Sequence, residues 1–187
     1  MPPPFRPLSP DDFLDELRRF VWTRRVWRLD MHHTWFPAHR DYDGLPSIER
    51  MRAYHVEERG FADIAQHVSI APDGTIWTGR DWNTRAASVG GILNDGAFMF
   101  EAIGDFDLGR DRLGGLQLDS AILVIAAVQR RFALPPEALL FHREVPVTEK
   151  TCPGTSVRKA AILAAVRASR QGIAIAALGH DERARLA

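Results

Sequence analysis

Ala97-Phe-Met-Phe-Glu-Ala-Ile103 is apolar on both faces of an extended chain, except at Glu101. It reads as a strand inside a sheet that has layers packed on it. The neighbouring segments supply those layers. Downstream, 116–132 is a strongly apolar helix, broken by Pro135-Pro136. Upstream, 25–31 alternates Trp27, Leu29 and Met31 onto one face, so His32 points to the opposite face and His33 rejoins the Trp27 side. Ala65–Ala71 and Thr75–Thr78 form a hairpin around the turn Pro72-Asp-Gly-Thr75. Ser9 caps a first helix with Pro10 behind it, and Phe13, Leu17, Phe20 and Val21 form its apolar stripe. Ser47 caps a second helix that runs to about Glu58 and ends at Gly60. Thr155 or Ser156 caps a last helix that runs to about Gln171, with Gly172 as its stop. This order predicts an α/β protein with a single mixed central β-sheet flanked by helices. Residues 1–24 are an N-terminal extension with one helix and a loose proline-rich start, 25–172 the main domain, and 173–187 a tail.

With 187 residues, the chain suffices for one domain with a sizeable core. It is 45% hydrophobic and 26% charged, with 24 basic and 24 acidic residues. A formal net charge of zero favours neither nucleic acid nor an anionic membrane as partner. Cys152 has no partner for a disulfide within the chain. No apolar run approaches the ~20 residues that span a bilayer. Met-Pro-Pro-Pro-Phe-Arg lacks the apolar core of a secretory signal. The expectation is a monomer, cytoplasmic as synthesised, or one that leaves the cell by a route that needs no such signal.

The chemistry concentrates in the polar loop Phe141-His-Arg-Glu-Val-Pro-Val-Thr-Glu-Lys-Thr-Cys-Pro-Gly154. Alternation in an extended chain lets Lys150 and Cys152 face one site. Cys152 by itself is as readily an inert buried thiol, or a nucleophile with His142 as its base. His32, His142 and Cys152 together make three ligands for a zinc ion, with a fourth position open to water. A carboxylate inside an apolar strand is desolvated, which raises its pKa and suits Glu101 to proton transfer; the other reading is a strand-end glutamate in a structural salt bridge. Lys150 can offset charge on a tetrahedral oxygen. This set suits amide hydrolysis. His39, His55 and His180 carry no pattern; His67 lies within a strand.

Met31-His-His-Thr-Trp35, Gly60-Phe-Ala-Asp-Ile-Ala-Gln-His67, Asp73-Gly-Thr-Ile-Trp-Thr-Gly-Arg80 and His142-Arg-Glu…Lys150-Thr-Cys-Pro-Gly154 occur in that order. Over about residues 25–172 the chain resembles the zinc-dependent N-acetylmuramoyl-L-alanine amidases, which share a fold with peptidoglycan recognition proteins. The resemblance implies Zn2+ on His32, His142 and Cys152, catalysis by Glu101 and Lys150, and substrate binding at Trp35, Gln66, His67 and Arg80. The implied partner is peptidoglycan or a muropeptide. Gln66 stands where many members have a catalytic tyrosine, and 83–91 lacks a histidine that many carry. A binding module of the same fold and a cysteine hydrolase are the rival readings. A phage-type lysin, a recycling enzyme and an exported effector are all compatible roles.

Overall fold

The computed structural model describes residues 5–146 and 148–177, with side chains to 170. Among these residues are six strands: β1 (Pro7–Leu8), β2 (Arg28–His33), β3 (Val68–Ile70), β4 (Ile76–Thr78), β5 (Ala97–Ala102) and β6 (Leu139–Phe141). They form one sheet in the order β1-β4-β3-β5-β2-β6. β3, β5, β2 and β6 are mutually parallel, and β4 and β1 run antiparallel at one edge, so the sheet is mixed. Four α-helices accompany it: α1 (Pro10–Arg19), α2 (Leu45–Ala53), α3 (Gly115–Arg131) and α4 (Lys159–Ala177).

Alternation along β2 and β5 sorts the two faces. Leu29 and Met31 of β2 and Phe98 and Phe100 of β5 are fully buried in one core with Val124, Ile125 and Val128 of α3. α1 adds Phe13 and Leu17 to that core, and α4 adds Ile162 and Val166. Arg28, Asp30 and His32 therefore point to the other face. There, Ile48 and Met51 of α2 pack in a smaller cluster with Ile64, Trp77 and Ile103.

Several boundaries differ from the sequence reading. β2 runs from Arg28 to His33, so the histidine pair lies inside the strand rather than past its end. Trp27 precedes β2 and is 54% exposed, outside the core it was expected to join. Pro7-Leu8 is an edge strand rather than a loose start. It pairs with Trp77 and Ile76, and Arg6 N–H donates to Thr78 Oγ1 at 2.8 Å. An edge strand tolerates a proline whose ring nitrogen faces away from the ladder.

The start of α1 is as expected: Asp12 N–H donates to Ser9 Oγ and Ser9 N–H to Asp12 Oδ2. α2 begins earlier than expected, at Leu45, with Gly44 as its cap at φ 84°. Pro46 is suited to a first turn, and Ser47 Oγ accepts from Asp43 N–H from inside the helix. A π-helical turn, Tyr54–Glu58, carries the chain on to Gly60. α4 starts later than expected because Thr155 and Ser156 bond elsewhere. Their hydroxyls tie to Leu108 N–H and the Phe106 carbonyl. Gly172 does not end α4, which continues to Ala177. The tail from 178 onward, with His180, lies outside the described residues.

Candidate metal centre and cleft

Three elements converge at one end of the sheet. β2 presents His32 on the face away from α3, in register with Glu101 of β5. β6, absent from the sequence reading, pairs Phe141 with Met31, which places the next residue, His142, beside His32. Phe141 N–H donates to Glu144 Oε2 at 2.9 Å, which closes the turn that holds the imidazole. The loop that returns with Cys152 is tied to the same turn: Arg143 N–H donates to the Cys152 carbonyl at 2.8 Å. The Arg143 guanidinium also donates to the Gly154 and Val157 carbonyls.

The result is a compact donor set. His32 Nδ1 lies 3.2 Å from His142 Nδ1 and 3.4 Å from Cys152 Sγ. All three donor atoms fall within 4.8 Å of one another. Tetrahedral ligands at ~2.0–2.3 Å from one ion stand ~3.3–3.7 Å apart, so the spacing fits a zinc ion. Three protein donors also leave the fourth position of a tetrahedron open. His33 Nδ1 instead accepts from Phe106 N–H, and His33 N–H donates to Cys152 Sγ at 3.4 Å.

Burial controls the protonation of the set. It holds the His32 imidazolium form well below its usual range, reinforced by His142 and other nearby cations. Burial and then Lys150 lower His142. Both rings are thus neutral at pH 7, the form in which an imidazole can hold a metal. Burial pushes the Cys152 thiol up to about 12, with the His33 N–H opposing. A thiol in that condition is a poor nucleophile, whereas a coordinated cation removes its proton outright. Burial also raises the Glu101 carboxyl to about 8, with Lys150 opposing.

His32, His142, Cys152, Glu101 and Lys150 share a cleft of about 700 Å3. Its farther walls are largely apolar: Trp35 and Phe36 from the loop after β2, Met51 and Tyr54 from the α2 region, and Phe61. Trp35 and Phe36 are 66% and 67% exposed, so two adjacent rings stand open at the cleft.

Trp35 therefore sits where the sequence reading put it. Gln66, His67 and Arg80 do not: none lines the cleft. Gln66 is fully buried, and its Nε2 donates to Ser69 Oγ at 2.8 Å. His67 stacks on Phe98 and accepts from Met99 N–H through Nδ1, which leaves Nε2–H to donate to the Thr84 carbonyl. Arg80 donates to the carbonyls of Ile64, Asp63 and Arg85. His67 and Arg80 thus bond to neighbouring backbone, and Gln66 to a neighbouring hydroxyl, behind the cleft.

Sequence reasoning missed His55, Arg59 and Phe61 in the cleft wall, and Ser88 beside the donors. The α2 region places the first two through its π-helical turn, a local feature without a sequence signature here. His55 Nδ1 accepts from Ala65 N–H, and burial lowers its pKa to about 4.

Residues 22–155 match the family model described as N-acetylmuramoyl-L-alanine amidase. Peptidoglycan-recognition protein LB of Drosophila melanogaster is 37% identical over 128 residues, 66% of this chain and 53% of that protein. The human N-acetylmuramoyl-L-alanine amidase is 29% identical over 132 residues, 69% of this chain and 22% of that protein. The chain thus spans about half of the first relative and under a quarter of the second. A solved structure of a Drosophila PGRP-LB mutant in complex with tracheal cytotoxin superposes with a TM-score of 0.61 at 30% identity, covering 74% of this chain and 80% of that one. With its fold, its ordered motifs and this match over most of its length, the chain belongs to the N-acetylmuramoyl-L-alanine amidase family, to which peptidoglycan recognition proteins are similar in fold.

Proposed function

We propose that this protein is a zinc-dependent amidase that hydrolyses the bond between N-acetylmuramic acid and L-alanine in peptidoglycan or muropeptides. The observation that carries this reading is the triad His32–His142–Cys152, with 3.2 and 3.4 Å contacts, opening on a cleft beside a buried carboxylate. A zinc ion held by these three residues supplies Lewis acidity toward an amide carbonyl and toward water. Burial raises the Glu101 carboxyl of the metal-free protein to about 8, out of the ordinary carboxylate range and toward neutral pH. It is therefore suited both to take a proton from the attacking water and to return it to the leaving amine of L-alanine. Lys150 brings an ammonium to the same cleft and offsets negative charge developing on the carbonyl oxygen. The cleft's volume is in the range of small-ligand sites, and its apolar walls exclude water from the flanks of the substrate.

A second reading, a peptidoglycan-binding module without turnover, draws on the relatives named as recognition proteins. It also draws on the burial of Gln66, which brings neither a phenol nor its amide into the cleft. Incubation with a purified muropeptide separates the two. The amidase releases the free L-alanyl peptide, and both a chelator and Cys152→Ser abolish that release. Retention of the muropeptide with no peptide released, in the zinc-loaded protein, supports the binding module and contradicts the amidase.

A further inference from the structure

Asp30 is fully buried one turn of alternation before His32, on the same face of β2. Arg28 grips it at 2.6 and 3.0 Å. Ser88 Oγ lies 2.7 Å from Asp30 Oδ2 and 2.8 Å from His32 Nε2. The Ser88 backbone is fixed as well: Asn94 Oδ1 accepts from the N–H groups of Ser88, Val89 and Gly90 at 3.1, 2.9 and 2.9 Å. Arg28 also donates to the Leu93 carbonyl, which binds this loop to the strand.

Proton counting then fixes the ring. A carboxylate gripped by a guanidinium only accepts, so the single Ser88 hydroxyl proton goes to Asp30. Ser88 Oγ must therefore accept from His32, and His32 Nε2 must carry the proton. Nδ1 is left with its lone pair directed at His142 Nδ1 and Cys152 Sγ.

We infer that Asp30 and Ser88 are positioning residues for the metal centre, a relay that locks the His32 tautomer and ring angle required for binding through Nδ1. The inference rests on the zinc reading above. It gives a reason for an aspartate buried on the polar face of a core strand. It also explains why the 85–96 loop folds back over the sheet: the loop delivers the hydroxyl. Partners of this kind typically strengthen metal affinity by about 10–100-fold.

The test is zinc affinity of the full chain by competition with a chromophoric chelator, which does not depend on turnover. Ser88→Ala removes the acceptor for Nε2–H, and the affinity is expected to fall about 10–100-fold. Asp30→Asn keeps the shape and an oxygen for Arg28 but offers an amide N–H to Ser88. The hydroxyl then turns to donate to Nε2 and drives the proton to Nδ1, so Asn is expected to weaken zinc at least as much as Ser88→Ala. Nitrogen-15 spectra of the metal-free protein should show His32 protonated at Nε2 in the wild type and not in Asp30→Asn. If both variants bind zinc as tightly as the wild type, the relay is overturned while the zinc reading stands. A wild-type chain that takes up no zinc overturns both.

Discussion

At Glu101, burial and the proposed proton transfer act on the same group. Folding raises this carboxyl from its ordinary 4.5 to about 8. Between those values the unfolded chain has released the proton and the folded metal-free chain retains it, so stability falls as pH rises. The loss begins near pH 4.5 and is complete above about 8, at about 1.4 kcal/mol per pH unit across the interval. Glu101→Gln, which cannot ionise, should stabilise the metal-free protein by a few kcal/mol at pH 9 and by little at pH 4. The same variant should lose amidase turnover by at least about 100-fold. Urea unfolding at the two pH values and a peptide-release assay check the pair of outcomes. Equal unfolding midpoints at pH 9 would contradict the buried, pH-sensitive carboxylate. Arg80 makes a complementary case. Arg80→Ala frees three carbonyls, that of Ile64 buried and those of Asp63 and Arg85 partly so, and should lower stability by about 2–3 kcal/mol, because an unpaired buried polar group is expensive. A variant that keeps its stability but binds muropeptide poorly would return Arg80 to the cleft.

At the scale of elements, the donor set depends on how two loops are anchored. Gly154 has φ +109°, and a Cβ there would lie 2.4 Å from the Phe106 backbone. Gly154→Ala must therefore push the Cys152 loop off the sheet end, and the measured outcome should be weaker zinc binding as well as a lower Tm. Unchanged zinc affinity in that variant would show that the loop does not hold Cys152 in place.

The same elements show what could be read in advance. Alternation in β2 placed His32 opposite Leu29 and Met31 without any structure, because a two-residue period survives an error in the strand's ends. The lone charge at Glu101 stood out against an apolar strand for the same reason. β6 was not legible, since three residues after a double proline carry too short a pattern to separate from a loop. The fates of Gln66, His67 and Arg80 were also hidden. Each is polar, and only the tertiary structure shows that neighbouring carbonyls, N–H groups and hydroxyls take up their bonds. Asp30 does not stand out in the sequence, because its meaning appears only when Ser88, 58 residues away, arrives from another loop.

Across the sheet, one face carries the main core and the other the candidate metal centre. α3, α1 and α4 cover the face that carries Leu29, Met31, Phe98 and Phe100. Phe100→Ala should cost about 3–5 kcal/mol, as large-to-small changes at fully buried aromatics do, and a denaturation midpoint measures it. This division lets the opposite face keep buried ionisable groups that by themselves oppose folding. The most direct measurement is elemental analysis of the protein purified without added metal, beside the Cys152→Ser variant in a folded state. The structure predicts close to one zinc per wild-type chain and a large loss in the variant. Well under one equivalent in a folded wild type able to bind muropeptide, or full retention after loss of the thiol, would contradict the metal centre.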